Sequence, residues 1–413
     1  MNNTTTILSI ETSCDETGVS IVQYNKTTQK YTVLSDSLNS QVEIHKEFGG
    51  VFPMVAKREH GNNLTGLLTH CLENVVSIDG SSIDKKNIDF ELINREKELT
   101  EKIQTELENT SSLLLKIPEI DYIAVTRGPG LEPALWVGLS FAKFLSKLWQ
   151  KPMLPINHME GHISSVLLDT ESSHIEFPSL ALLISGGHTE LVDIENWGKY
   201  KIIGKTRDDA VGEAYDKAAR ILGLSYPGGP LIAAKAKKLR ESAVESDIQF
   251  KKNQFLIKLP RPMQHSQDLD LSFSGLKTAV LYMVRDLKKN QSVENLPEEI
   301  IDLICHEFEN SVSEVLISKL NFANKSGNRK YKNLIVAGGV ISNEFLKENI
   351  QNWCLKNNIN FLKPEKSLAT DNAVMIALAA IVGLNNKYVS IINPNDKAFL
   401  EIKPDGDWSL NNI

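Results

Sequence analysis

Residues 7–22 read ILSIETSCDETGVSIV, and residues 180–194 read LALLISGGHTELVDI. Each is an apolar run, a turn of small or polar residues, and a returning run. In the first, Ile7-Leu8-Ser9-Ile10-Glu11 gives way to the polar residues 12–17, and Gly18-Val19-Ser20-Ile21-Val22 alternates like the second strand of a hairpin. In the second, residues 180–184 are apolar, Ser185-Gly186-Gly187-His188-Thr189 turns, and Glu190-Leu191-Val192-Asp193-Ile194 returns. One hairpin at the head of each half of the chain predicts a duplicated lobe.

Helices follow each hairpin. After the strand at residues 120–126, Gly128-Pro129-Gly130 breaks the chain and Pro133 stands where a helix can start. Leu135, Leu139, Ala142, Leu145 and Leu148 then recur at helical spacing up to Trp149. In the second half Leu334-Ile335-Val336-Ala337 reads as a strand, Gly338-Gly339 as a turn, and Ser342-Asn343 as the start of the next helix. Strands alternating with helices predict an α/β fold with helix-covered sheets. The expected division is an N-terminal lobe over 1–176, a C-terminal lobe over 177–390 and a tail over 391–413. Within the first lobe, residues 81–119 look inserted, with nine acids against six bases and a thin apolar stripe of Leu92, Leu99, Ile103 and Leu107. A solvated helical excursion is the plain reading, and a docking helix for a partner is the alternative.

Composition excludes several classes. Of 413 residues, 41% are hydrophobic and 23% charged, ordinary globular usage rather than disorder or a collagen repeat. No apolar run approaches the ~18 residues of a membrane helix. The 52 acids and 45 bases exclude a uniformly basic, nucleic-acid-coating surface. Charge is nonetheless uneven: residues 235–261 hold eight bases and three acids, and Lys325, Arg329, Lys330 and Lys332 follow without an acid between them. These are candidate phosphate contacts, with solvated helix faces as the alternative. The four cysteines form no CxxC pair, and no basic residue precedes Lys26, so neither a zinc knuckle nor a leader is expected. A cytoplasmic protein is the expectation.

The sharpest chemical signal is His158-Met159-Glu160-Gly161-His162, preceded by a strand and by Asn157, a helix cap. On a helix the two imidazoles lie ~40° apart and can share a metal ion. Glu160 points to the far side, so the HExxH protease arrangement is absent. Two unrelated helix histidines are the alternative. The turns at Ser185-Gly186-Gly187 and Gly338-Gly339 offer unobstructed backbone N–H groups suited to a phosphate or an oxyanion, although Gly-Gly also makes ordinary turns. Asp371, just before a helix from Ala373, could simply cap it, and Asp216 could be an exposed helix acid.

Taken together, these stretches resemble the bacterial tRNA threonylcarbamoyladenosine transferases, the TsaD family. Further matching stretches are Asp209-Ala210-Val211-Gly212-Glu213-Ala214-Tyr215-Asp216-Lys217, Tyr226-Pro227-Gly228-Gly229-Pro230, Ser272-Phe273-Ser274-Gly275-Leu276-Lys277-Thr278 and Ala337-Gly338-Gly339-Val340. The resemblance spans the chain apart from the insert near 81–119 and the last ~20 residues, beyond any single loop motif of the kind that recurs by chance. It implies the actin, Hsp70 and sugar-kinase fold, two similar lobes around a cleft. It also implies transfer of a threonylcarbamoyl group from its adenylate onto N6 of the tRNA adenosine 3′ of the anticodon. His158, His162 and Asp371 become the implied ligands of one divalent metal per chain, Fe(II), or Zn(II) as the alternative. Leu183, Ile184, Ser185, Gly186, Gly187, Asp216, Gly229 and Asn343 become the implied substrate-binding positions. Asp15 and Glu16, on the first hairpin turn, are our candidates for taking the amine proton. The implied partners are tRNA, an inactive TsaB-like paralogue, a TsaE-like P-loop ATPase and a separate synthase that supplies the adenylate. Arg127 stands where the family often has a small residue. A kinase or ATPase of the same fold, or a non-catalytic paralogue, is the rival reading.

Overall fold

The computed structural model describes residues 3–73, 78–109, 112–168, 175–326 and 329–413. In chain order, residues 3–168 carry β1 (Thr4–Glu11), β2 (Glu16–Asn25), β3 (Lys30–Ser40), α1 (Val42–Lys46), α2 (Pro53–Glu73), β4 (Ile78–Ser82), α3 (Lys97–Glu108), β5 (Lys116–Pro118), β6 (Tyr122–Gly128), α4 (Glu132–Trp149), β7 (Met153–Asn157) and α5 (His158–Ser164). Then follow β8 (Ser179–Ile184), β9 (Thr189–Asn196), β10 (Lys199–Lys205), α6 (Val211–Ile221), α7 (Gly228–Ser242), α8 (Glu245–Gln254), α9 (Ser274–Gln291), α10 (Glu298–Ser326), β11 (Asn333–Ala337), α11 (Glu344–Asn357), β12 (Asn360–Leu362), α12 (Ala373–Asn386) and α13 (Lys397–Glu401).

The duplication is present in the strand order. One five-stranded sheet runs β3-β2-β1-β6-β7 and the other β10-β9-β8-β11-β12. In each, an antiparallel hairpin is extended by parallel strands: β1 pairs antiparallel with β2 and parallel with β6, as β8 does with β9 and β11. This is the α/β fold of the actin, Hsp70 and sugar-kinase class.

Two compact units divide the chain. The first holds Met1–His174, Trp197–Tyr200 and Pro364–Ile413; the second holds Ile175–Asn196 and Lys201–Lys363. This differs from the division expected at 176 and 390, because α12 and the last residues pack with the first sheet. The side chains of β1 show why. All but Thr4 are buried, and successive residues face opposite layers. Leu8 and Ile10 join a core with Leu64 and Leu68 of α2, Ile103 of α3 and Leu139 of α4. Ile7 joins a second core with Val374, Ile376, Leu378 and Ile381 of α12. A strand covered on both faces needs a helix on each. α12 is buried from Ala373 to Gly383, so it serves as an interior helix rather than a surface one. The Ser9 hydroxyl donates to Ala373 O at 2.7 Å and fixes where that helix begins.

The charged excursion at 81–119 is partly core. Leu99, Ile103 and Leu107 are buried in the first of those cores, and Leu92 packs against it. The apolar stripe is therefore spent inside its own unit and offers no docking face.

The second unit is built on β8, all of whose side chains are buried. Around its sheet, α7 packs on α10 and on α6, and α10 also meets α11.

Candidate active site

The first unit brings the two histidines and Asp371 together. Asn157 closes β7 and caps α5: its Oδ1 accepts from Met159 N at 2.9 Å and Glu160 N at 3.3 Å. His158 and His162 then stand one turn apart, their rings 4.7 Å between centroids and 84° between planes. Asp371 Oδ1 lies 3.1 Å from His162 Nε2 and 3.5 Å from His158 Nε2. Asp371 is not the helix cap. That role falls to Asn372, whose side chain accepts from Met375 N at 2.9 Å, so the Asp371 carboxylate is left to the imidazoles.

The three residues present ligand atoms within 4.8 Å of one another. His162 is 1% exposed, and neither of its ring nitrogens has a hydrogen-bond partner of good geometry. A buried, unsatisfied imidazole is costly unless something else occupies its lone pair. Two imidazoles and one carboxylate are a donor set that suits a divalent transition metal, and the site therefore fits one.

A carboxylate behind the site orients His158. Glu11, fully buried, faces His158 Nδ1 at 3.3 Å and is itself held by Thr126 Oγ1 and by Ser13 N. Ser13 Oγ lies 3.1 Å from the same Nδ1. Such a partner fixes the imidazole so that Nε2 faces Asp371. Burial works against a charged His158, yet Asp371 and Glu11 outweigh it and hold its pKa well above the ordinary range. For Asp371, burial is likewise outweighed by His158 and His162, which hold the carboxyl well below its usual range.

Asp15 and Glu16 follow on the same turn. Asp15 is 8% exposed, and its carbonyl accepts from Gln41 N at 2.9 Å. Burial, followed by the charges of Asp15 and Asp371, pushes the Glu16 carboxyl well above its usual range. The turn thus lies within the electrostatic reach of Asp371.

Behind this turn sits His60, fully buried. Its Nε2–H donates to Cys14 O at 3.0 Å; its Nδ1 accepts from Thr17 Oγ1 at 2.8 Å and from Gln41 Nε2 at 3.3 Å. Burial pushes its pKa down to about 4 from 6.5, more than the backbone hydrogen bond and the Glu11 charge restore. As pH falls, the unfolded chain takes up this proton first. The stability due to neutral His60 is therefore complete above about pH 6.5 and is lost as pH falls toward 4, by about 3 kcal/mol at most. Denaturant unfolding of wild type and His60→Gln across this range should show a steeper loss in the wild type. Equal slopes would exclude His60 as the source.

Glu160 is turned toward Tyr200 and Tyr388 rather than toward Asp371, as its place on the helix requires. It is buried and accepts hydrogen bonds from Tyr200 at 2.8 Å and from Tyr388.

In the second unit, residues 183–187 lie at the carboxyl end of β8 and Asn343 follows that of β11, where open α/β sheets bind ligands, while Asp216 and Gly229 lie on α6 and α7. Leu183 and Ile184 are buried strand residues whose side chains belong to the core, so only their backbone can meet a ligand. The Ser185 amide is already used, donating to His188 O at 2.9 Å. Gly186 and Gly187 are exposed, with open space where a Cβ would sit. Beside them Gly338 ends β11 with φ +96°, and a Cβ there would fall 2.5 Å from Ile184 O. Asn343 caps α11 through Leu346 N at 3.0 Å and donates to Glu309 Oε1 at 2.5 Å. Glu309 is fully buried and also accepts from Arg240 Nη1 at 2.8 Å. Asp216 is no idle helix acid: it accepts from Gly228 N at 2.7 Å and caps α7 next to Gly229.

The basic stretch at 235–261 is largely countered within the unit. Lys235 and Lys238 pair with Glu298 and Asp302, and Arg240 with Glu309. Lys251 pairs with Glu299, Lys252 with Glu307, and Arg261 with Glu307 and Glu314. The sequence displays those bases without the acids of α10 that oppose them. Arg329 is similarly engaged by Asp193 and Glu195.

Glu11 and Ser13 belong to the first hairpin, and no local sequence signal ties them to His158. Asn372 carried one, since Asn is as good a cap as Asp. Glu309 sits in an ordinary amphipathic helix and gave none.

Comparison with known proteins adds the family. The model for TsaD, tRNA N6-adenosine threonylcarbamoyltransferase, matches residues 32–85 and 96–378. Inside that span only residues 86–95 lie outside the match, so most of the stretch expected to be an insert is shared with the family. The chain is 38% identical to the tRNA N6-adenosine threonylcarbamoyltransferase of Staphylococcus saprophyticus, over 92% of this chain and 91% of that one. It is 40% identical to the protein of the same name from Dictyoglomus turgidum, over 90% and 91% of the two chains. The Clostridium perfringens protein of that name is 38% identical over 96% and 98%.

Proposed function

Because the chain belongs to the TsaD family, we propose that His158, His162 and Asp371 are the metal centre of a tRNA N6-adenosine threonylcarbamoyltransferase. The enzyme transfers a threonylcarbamoyl group to N6 of a tRNA adenosine. In our reading the donor is threonylcarbamoyl-adenylate and the acceptor is the adenosine 3′ of the anticodon, position 37. The observation that supports the metal reading most directly is the buried His162, whose Nε2 converges with that of His158 on Asp371 while its Nδ1 has no hydrogen-bond partner.

The chemistry is acyl transfer from a mixed carbamic–phosphoric anhydride. A bond forms between adenine N6 and the carbamoyl carbon; the bond from that carbon to the phosphate oxygen breaks, AMP leaves, and N6 gives up a proton. A divalent ion, Fe(II) with Zn(II) as the alternative, supplies Lewis-acid polarisation of oxygen when bound. Glu11 and Ser13 hold His158 in the ligating orientation. Asp15 or Glu16 accepts the amine proton. In the second unit, the Gly186 and Gly187 amides face phosphate or the developing oxyanion, and Leu183, Ile184 and Ser185 supply the strand end that aims them. Asn343, held by Glu309, and Gly338-Gly339 serve the nucleoside end, and Asp216 and Gly229 are further substrate-binding positions.

Our reading of the partners includes a TsaB-like paralogue, a TsaE-like ATPase and an adenylate-making synthase. Ile44, Phe48, Phe52 and Met54 form an exposed apolar set, with the two phenylalanine rings stacked 5.8 Å apart. No helix among the described residues is long and apolar enough to cross a membrane.

Reconstitution with tRNA, threonine, bicarbonate, ATP, the synthase and these partners, followed by nucleoside analysis, tests the function. Threonylcarbamoyladenosine should appear only with this chain present. Its absence with every component supplied would overturn the reading, as would γ-phosphate transfer as the sole activity. In the same assay Asp15→Ala or Glu16→Ala should slow transfer about 10²-fold or more. Wild-type rates in both would place the base elsewhere.

A further inference from the structure

The last residues of the chain were expected to form a tail, yet they are joined to the metal-ligand helix. Asn157 uses both ends of its amide. Its Oδ1 caps α5, and its Nδ2 donates to Trp408 O at 2.9 Å. The segment that carries Trp408 is held along its length. Lys143 of α4 donates to Ile402 O at 2.9 Å, and Arg127 Nε donates to Lys403 O at 3.0 Å. Asp405 N donates to Arg127 O at 2.9 Å, and Gly130 N donates to Gly406 O at 3.1 Å. The Arg127 guanidinium lies 4.9 Å from the centre of the Trp408 ring. Phe399 and Leu410, at either end, are buried. The contact is too close for any side chain at Gly128, where a Cβ would fall 1.8 Å from Asp405 O.

We propose that residues 399–408 are a positioning element of the metal centre, with Trp408 O setting the Asn157 amide that in turn sets His158 and His162. The proposal rests on the metal reading given above. Its physical basis is that an amide with a free Nδ2 can rotate, whereas one held at both ends presents Oδ1 to Met159 and Glu160 in one orientation. The first ligand of the site is the residue that follows it. Arg127, unusual before Gly-Pro-Gly, thereby acquires a purpose: it grips the segment from β6. Outer groups of this kind typically change metal affinity about 10–100-fold.

The test uses Asn157→Ser, because serine caps a helix about as well as asparagine but cannot reach Trp408 O with a donor while capping. Arg127→Met, which removes the grip on Lys403 O and the Trp408 stack, is the second variant. Zn(II) affinity is measured by competition with a chromophoric chelator, and the ligand field by the visible spectrum of the Co(II) form. Asn157→Ser should bind Zn(II) about 10-fold or more weakly and show altered Co(II) bands, while the melting temperature of the metal-free protein stays near wild type. Arg127→Met should move both readouts in the same direction by less. Wild-type affinity and spectrum in both variants would overturn the proposal and leave the metal reading standing. A wild-type chain that takes up no metal would overturn both.

Discussion

Exchange of Asp371 for asparagine is expected to remove tightly held metal from the chain and to slow threonylcarbamoyl transfer at least 100-fold. The variant keeps the size of the side chain and removes its charge. Two buried imidazoles would remain with no anion between them, and a neutral amide oxygen is a poor substitute for a carboxylate toward a divalent ion. Metal analysis after dialysis should fall from one equivalent per chain toward none, and nucleoside analysis should show the matching loss of product. The fold should survive, because Asn372, not Asp371, caps α12 through Met375 N. Melting within a few degrees of wild type would separate loss of the ligand from loss of structure. Full metal content in Asp371→Asn would remove Asp371 from the site.

The second large effect is expected in the other unit, from Gly338→Ala. At φ +96° an alanine is strained, and its Cβ would fall 2.5 Å from Ile184 O and 2.8 Å from Ile184 C. Both obstacles are backbone atoms of β8, which is hydrogen-bonded on two sides and has no room to yield. Strain of this kind costs about 1–3 kcal/mol before the clash is added. Unfolding should therefore move to lower denaturant, and whatever molecule remains folded must displace the strand end that leads into Ser185 and the two exposed glycines. Nucleotide affinity, measured with AMP as probe, should fall with it. Wild-type stability would mean that β8 and β11 separate more easily than their pairing indicates.

The two predictions differ in how far each was legible in advance. The Gly338 turn follows from a short apolar strand and a Gly-Gly pair, both local signals. The pairing of Asp371 with His158 and His162 rests on a helix from the far end of the chain returning to cover β1. Periodicity reaches only the residues of one element, so this partner entered the reading through family resemblance alone. The same limit acts elsewhere in the chain. Residues 235–261 looked basic because the acids that oppose them lie on α10. Leu99, Ile103 and Leu107 looked like a thin exposed stripe because their partners are on α2 and the first sheet. The end of the chain looked like a tail because Arg127, Lys143 and Asn157, which hold it, are distant in sequence.

Local signals in the chain were enough for the paired hairpins, the α/β alternation, the helix starts next to Pro133 and after Asn157, and the common face of the two histidines. All of these follow from rules that act within a few residues: strand alternation, helical periodicity and the satisfaction of terminal N–H groups. Which acid meets the histidines, which asparagine caps α12, and which carbonyl turns Asn157 were settled by packing alone. Those choices depend on how elements distant in sequence pack against one sheet, and the burial that drives packing is non-directional until the whole unit is assembled.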